Sequence, residues 1–534
     1  MHLRRTLPAV LAAAALLTTA AACGGGDDDG GSAAETQADL DALGPELPGE
    51  APEPAAGGEL VVGTIFDPFG LEPTTFVGSV TDAAVSLALY DPLMMYLPDG
   101  SVEPWLASAM ETEDSQTWTM TLRDGVTFQD GTPFDAEAVR VNLERHMDPA
   151  NRSRAMTNAV NIESVTPVDP LTVEIRTRFP WPAFPEVLTG NLGLMASPDA
   201  IAGGSINEEP VGTGPFRLES RTPGDHTTVV RNEDYWREGE PYLDRITYRV
   251  LVDDSVRQAS VENGEIQVAQ SIRGDTLAGA LDADGIAAVA SLGFSNIITM
   301  NAGAAPTDDP RVRQALAYAL DTESIDAAVF DGTGSSNHNP VSEDSAFHSA
   351  EAEFPTYDPE RARELVDEIE AESGPLEIEF SCYTEPSRVQ LTELVEQMWE
   401  QVGIDVEPVL KDQRSQILDI LQKNYSVGCY SSGSNDRDPD IQLYGVYHSE
   451  ASGNPSGYAS PEMDAALEQG RTSTDEAERR EAYATVQALL GSDVPTYEYA
   501  SSPWGWVVAD GVHGVVALPG SEFLPSGIFL EPGA

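Results

Sequence analysis

The sequence predicts an α/β protein of more than one domain. Residues 376–430 alternate strand and helix patterns in a βαβαβ run, which argues for a parallel sheet covered by helices. Residues 211–252 read as strands joined by turns. The chain has 534 residues, enough for two or three domains.

The elements follow in order. Glu59 opens the folded region, and Leu60, Val61, Val62 and Ile65 lie in a run that reads as a buried strand. A loop with Asp67, Pro68 and Gly70 comes next. Residues 80–90 place Val85, Leu87 and Leu89 at helical spacing. Alternation makes 118–122 a strand, and 126–128 reads as another between two glycine turns. Asp135 has N-cap chemistry, and Ala138, Val141 and Leu143 supply an apolar stripe behind it. Residues 216–218, 227–230 and 246–252 read as strands, 255–290 as helix broken at Gly264, and 296–300 as a strand. Helices are expected over 311–320, 324–330, 359–371, 387–402, 413–423, 461–470 and 475–490. The strands of the βαβαβ run are 376–382, 404–410 and 425–430.

The N-terminus carries an address. His2, Arg4 and Arg5 precede a Leu/Ala-rich stretch ending at Ala20, Ala21 and Ala22, the pattern of an export signal over 1–22. The stretch is shorter than the roughly 20 apolar residues a membrane-spanning helix needs. Cys23 follows directly, and the whole resembles a bacterial lipoprotein signal, although Ala20 stands where leucine is commonest. The resemblance implies acylation of Cys23. Several acyl chains, at about 0.8 kcal/mol per buried methylene, hold firmly where one does not. Residues 23–58 lack apolar periodicity and read as a disordered tether.

Charge excludes some functions. There are 89 acidic against 29 basic residues, a net charge of −60, which repels nucleic acid and anionic lipid. Regular apolar patterns and seven Trp residues argue against an acidic disordered chain. Enzyme signatures are missing too. The sequence has no Gly-x-Ser-x-Gly elbow and no His-Glu-x-x-His, and its seven histidines are scattered. No cofactor and no metal are expected.

Several segments then match one family in order. They are 122–139 (LRDGVTFQDGTPFDAEAV), 104–107 (PWLA), 212–216 (GTGPF), 231–236 (RNEDYW), 312–315 with 319–321, 357–359 (YDP), 438–440 (DPD) and 457–458 (GY). Over roughly 60–515 the chain resembles the family 5 extracellular solute-binding proteins, the peptide, opine and nickel binders of ATP-driven importers. The resemblance implies a bilobal fold of the type II periplasmic-binding-protein kind, with an extra subdomain inserted in the first lobe. Domain I would be 59–92, 205–295 and 500–534, domain II 93–204, and domain III 296–499. It also implies an ABC importer permease as partner, a small-molecule or peptide ligand and no catalysis. The chain would be a monomer, anchored by lipid at the outer face of the membrane. Most of the motif residues are expected to set turns and packing.

Ligands of open α/β lobes sit beyond the carboxyl ends of strands. That rule points to Tyr383 and to Ser432, Ser434, Asn435 and Asp436, with Asp67 and Phe69 from the first-lobe loop and Trp504 as an aromatic wall. Tyr458, in the last motif, is a further candidate. Peptide binders of the family place an aspartate where Asn435 aligns (Asp436 under a one-residue shift), and dipeptide binders carry an arginine just after the strand matching 376–382. Here Arg388 comes late, so a free dipeptide is expected to lack charged partners at both ends. A longer peptide or an oligosaccharide stays open. A nickel or haem binder on the same fold is another alternative, with His338 and His448 the histidines whose loops face the cleft, although exposed surface histidine is the plainer reading of both. So is a chemosensory surface lipoprotein. Cys382 and Cys429 end the first and third strands of the run, neighbours in a 2-1-3 sheet; they are a disulfide or two buried thiols.

The acidic surface predicts a protein suited to salt, where screening acts over roughly 10 Å or less. The melting temperature of the chain should rise by several degrees from low to molar salt in a calorimetric scan. An unchanged melting temperature contradicts this.

Overall fold

The computed structural model describes residues 43–49, 51–76, 80–283, 285–291, 295–334, 338–343, 345–432, 438–451, 453–501, 503–518 and 522–532. Residues 1–42, with the signal and Cys23, lie outside the described residues, as do Ser434, Asn435 and Asp436; Ser432 is described by its backbone alone.

The strands of the three largest sheets are, in chain order, β1 (Glu59–Thr64), β2 (Ala107–Thr112), β3 (Thr117–Leu122), β4 (Ile162–Asp169), β5 (Thr172–Thr177), β6 (Phe216–Thr222), β7 (His226–Arg231), β8 (Arg245–Val250), β9 (Val268–Ser271), β10 (Ile286–Ser291), β11 (Ser295–Met300), β12 (Glu377–Tyr383), β13 (Asp405–Lys411), β14 (Val427–Ser432), β15 (Thr496–Ser501) and β16 (Trp504–Ala509). Flanking helices include α1 (Val80–Leu89), α2 (Ala136–Met147), α3 (Pro386–Gln401), α4 (Gln413–Leu421), α5 (Asp440–Tyr447), α6 (Pro461–Thr472) and α7 (Glu476–Asp493).

A seven-stranded sheet, ordered β10-β16-β9-β1-β8-β7-β6, carries the first core. β1 lies at its centre, parallel to β8 and β9, which is why its sequence is an unbroken apolar run. Residues 255–290 are not one broken helix. They form a helix Asp254–Glu262, β9, a helix Gly274–Asp282, and β10. Every residue of β9 is buried, and small buried side chains such as Ala269 in β9 and Ala288 in β10 fit the packed sheet, so tertiary packing overrides alanine's helical preference. The expected strand at 126–128 is only a bridge between Thr127 and Pro133. Part of the expected tether is also docked. Gly44 C=O accepts from Ala290 N at 3.0 Å and Pro45 C=O from Ala517 N at 2.6 Å, while Leu43 and Leu47 pack on the core. Those two leucines were too isolated among glycine, proline and acid to show a period.

The second core surrounds a five-stranded sheet, ordered β13-β12-β14-β11-β15. β12, β13 and β14 are parallel with the first strand between the other two, the 2-1-3 order that makes Cys382 and Cys429 neighbours. β11 and β15 join antiparallel. Two connections link the sheets. β10 pairs with β16 up to Ser291 and Trp504, and β11 pairs with β15 from Ser295 and Ser501. The chain thus crosses between sheets twice, side by side.

A third core sits on the antiparallel sheet β2-β3-β5-β4 and α2, which Asp135 caps through Ala138 N at 3.0 Å. The motif residues join this unit to the seven-stranded sheet. Gln129 Nε2 donates to Leu89 C=O (3.2 Å), Gly214 C=O (3.2 Å) and Phe216 C=O (2.6 Å). A Cβ on Gly212 or Gly214 would fall 2.2 or 2.4 Å from Leu89 backbone atoms, so only glycine allows the approach. Asp91 lies at the centre, buried. Its Oδ1 accepts from Trp105 Nε1 (2.8 Å) and Tyr235 OH (3.0 Å), and its Oδ2 from Trp236 Nε1 (2.9 Å). Burial raises the Asp91 carboxyl from its ordinary 3.8 to about 6, against the pull of those hydrogen bonds.

A raised carboxyl pKa means the folded state holds the proton longer than the unfolded one. Its stabilising contribution is therefore full below pH 3.8 and is lost as pH rises through about 6. Asp91→Asn does not titrate. The stability of the natural chain relative to this variant should fall by about 3 kcal/mol between pH 4 and 7, in denaturant titrations at each pH. A difference that stays flat, or grows with pH, contradicts the assignment.

Candidate functional site

The parallel strands of both sheets end toward the two crossings. On the five-stranded sheet, the C-terminal ends of β12 and β14 lie with Ser295 and Ser501. On the seven-stranded sheet, the end of β1 lies with that of β9, and the β9 end pairs with the start of β16. Tyr383, the backbone of Ser432, the loop after β1 and Trp504 share this end of the fold. Trp504 is half-buried against the first core, and Trp506 is wholly inside it.

Tyr458 is not brought there. Its ring sits in the core under α6 and α7, and its hydroxyl donates to Asp493. The neighbouring Ser456 C=O accepts from Ala302 N, beyond Met300 at the opposite end of β11. His338 and His448 are packed rather than exposed. His338 stacks on Tyr497 at 4.7 Å, and burial lowers its pKa; His448 is buried and stacks on Tyr444 at 4.3 Å. Cys382 and Cys429 form a disulfide between the adjacent strands β12 and β14, with Cα atoms 5.2 Å apart.

Arg388 changes the reading of this end. Glu385 caps α3 through Ser387 N, and Pro386 begins the helix, so Arg388 falls in its first turn. That turn folds the side chain back over the strand ends. Arg388 Nε donates to Tyr383 OH at 3.1 Å, Nη2 to Asn296 Oδ1 at 2.6 Å, and Nη1 to Tyr499 OH. The guanidinium also lies 5.5 Å from the Tyr383 ring centroid. Arg388 is 8% exposed, yet none of these hydrogen-bond partners is a carboxylate. A guanidinium stays charged at any working pH, so this end of the sheet holds a buried positive charge satisfied by neutral oxygens. Arg388, late as it comes after the strand, is thus brought back to the strand ends. Counting from the strand missed it; counting from the helix start would have placed it. Asn296 and Tyr499 were not recognised either, since nothing local marks them.

The first-sheet loop is braced from within. Asp67 pairs with Arg221 at 2.8 Å, and the same nitrogen donates to Pro68 C=O at 2.6 Å. Phe69 N donates to Asp82 Oδ1 at 2.9 Å, and Leu71 N to Asn207 Oδ1 at 2.8 Å. Asp67 thus anchors the loop, while Phe66 and Phe69 stand 45% and 71% exposed beside it. Asp438, where the described chain resumes, is held by an arginine. Arg479 Nη2 donates to both oxygens of Asp438 at 2.6 Å. Burial raises the Asp438 carboxyl while Arg479 pulls it down.

Residues 101–454 match the model of the bacterial extracellular solute-binding proteins, family 5. The chain belongs to this family. It is 30% identical over 449 residues to the glutathione-binding protein GsiB of Pectobacterium atrosepticum, covering 82% of this chain and 87% of the relative. In fold it resembles the binding protein AgaA of A. tumefacien R10 in complex with agropinic acid (TM-score 0.79, 23% identity, 89% of this chain and 99% of that one). It likewise resembles the periplasmic binding protein DppA of Helicobacter pylori in complex with the peptide STSA (TM-score 0.80, 21% identity, 90% and 99%). The family 5 fold is the bilobal type II arrangement, and its members are extracytoplasmic binding proteins without catalysis. Among the described residues, no helix is long and apolar enough to cross a membrane.

Proposed function

We propose that this family 5 protein is the capturing subunit of an ABC importer, held at the outer face of the membrane by acyl chains on Cys23, and that its ligand is a short peptide with a free carboxylate. The buried guanidinium of Arg388 carries this reading. It lies at the strand ends beside the crossings, with Tyr383, Tyr499 and Asn296 around it. A ligand carboxylate would neutralise it with charge-assisted, bidentate hydrogen bonds. On this reading Arg388 supplies the carboxylate partner of even a dipeptide, and the ammonium end falls to the stretch holding Ser432, Ser434, Asn435 and Asp436. Phe66 and Phe69 offer aromatic surface to side chains from the first lobe. On this reading, domains I, II and III are built around the seven-, four- and five-stranded sheets. Closure about the paired crossings shifts the population toward the shut form, which the permease reads. Relatives named for glutathione, itself a tripeptide with two carboxylates, support a peptide over an oligosaccharide.

The test is a thermal-shift and calorimetric screen of the full chain in high salt. The library holds peptides of two to eight residues, each with a free and an amidated C-terminus, and reduced glutathione. A ligand at one hundred times its Kd should add about 2.7 kcal/mol of stability. Free-acid peptides should shift the melting temperature and amidated ones should not. Arg388→Met should weaken binding about 30-fold or more, since a buried charge partner is removed. Equal binding of free and amidated peptides contradicts the role of Arg388. No response to any peptide contradicts the ligand class.

A further inference from the structure

One buried carboxylate touches two of the three units. Asp440 begins α5 and is 1% exposed. Its Oδ1 accepts from Arg471 Nε at 2.7 Å, within the unit of the five-stranded sheet. Its Oδ2 accepts from Trp181 Nε1 at 2.6 Å, and Trp181 is a core residue of the four-stranded unit. Arg471 lies over three rings, with its guanidinium 3.5 Å from the Tyr444 centroid, 5.3 Å from that of Trp181 and 5.8 Å from that of Phe179. Ile441 packs against the core of the four-stranded unit. A cation and a carboxylate on one side thus meet an indole N–H and two aromatic faces on the other.

Each half of this cluster is held without the other. Asp440 and Arg471 pair with each other at 2.7 Å, and Tyr444 stacks on Arg471 from the same unit. Trp181 packs on Phe184 at 5.5 Å and on Phe179 at 5.8 Å inside its own core. Among the described residues, the Trp181–Asp440 hydrogen bond, the cation–π faces and the Ile441 contact run between the units. Separation would leave both surfaces intact, with the ion pair still made and the indole still wedged among its neighbours. A constitutive core would show apolar interdigitation across the boundary. A contact of few, directional, charge-assisted bonds between two preformed surfaces suits repeated making and breaking.

We propose that Trp181 and Phe179 are a latch through which the inserted subdomain holds the second lobe shut, with or without ligand. The proposal rests on the reading that the lobes open and close. It gives the inserted subdomain a part in that motion, through residues other than Arg388 and its partners. Trp181→Phe keeps the ring and removes the N–H donor. The loss of one charge-assisted hydrogen bond should move the open-to-shut ratio about tenfold toward open. Phe179→Leu takes away one cation–π face and leaves Trp181 in place.

The test needs no ligand, so a wrong ligand class does not affect it. Small-angle X-ray scattering of the ligand-free full chain in high salt should show a population of the shut form. Trp181→Phe and Phe179→Leu should each raise the radius of gyration while retaining a single cooperative melting transition. If one variant fails to fold, the other decides. A natural chain that is wholly open, or folded variants whose scattering matches it, overturns the latch.

Discussion

The buried carboxylate of Asp91 is the fixed point on which the frame depends. Three other chain segments reach it: Trp105, Thr213 and the pair Tyr235 and Trp236 all bond to this residue, through its carboxylate or its backbone N–H. Burying such a group is costly, and three aromatic donors offset that cost without a countercharge. The family motifs identify the fold because they assemble this junction. They hold the four-stranded unit on the seven-stranded sheet, and so fix the wall against which a second lobe can close.

From that wall the rest follows as a division of labour between charges. Arg479 and Arg471 neutralise Asp438 and Asp440 where the chain re-enters after the Ser434 to Asp436 stretch. Arg221 is spent on Asp67, which turns a candidate ligand group into a brace. Arg388 alone among these has neutral oxygens as its hydrogen-bond partners. It is this placement at the strand ends, in a chain of net charge −60, that led us to propose Arg388 as the partner of an incoming anion. Arginine suits all these positions, because its planar fork binds carboxylates bidentately; only Lys411 and Lys423 are lysines.

Much of this was legible. β1, the βαβαβ run and the Asp135 cap were written in local pattern, where periodicity and capping chemistry agree with the fold. β9 and β10 were not, because alanines in a crowded strand look helical until the neighbours are known. The docked residues near Leu43 and Leu47 were hidden for the opposite reason, since their apolar contacts are too sparse to make a period. The place of Tyr383 followed from a strand end and that of Trp504 from the second crossing. Asn296, Tyr499 and the reach of Arg388 depend on which strands become neighbours, and no single segment records that. Tyr458 was drawn in by its motif, yet it packs at the far end of the sheet, under α6 and α7.

The most direct measurement is a crystal structure of the chain with a captured peptide, reading the distance from the ligand carboxylate to Arg388. The account predicts that carboxylate within hydrogen-bonding distance of the guanidinium, with the peptide lying between the loop of Phe66 and Phe69 and the ends of β12 and β14. A peptide bound with its carboxylate elsewhere, and Arg388 still bonded only to Tyr383, Tyr499 and Asn296, would contradict it.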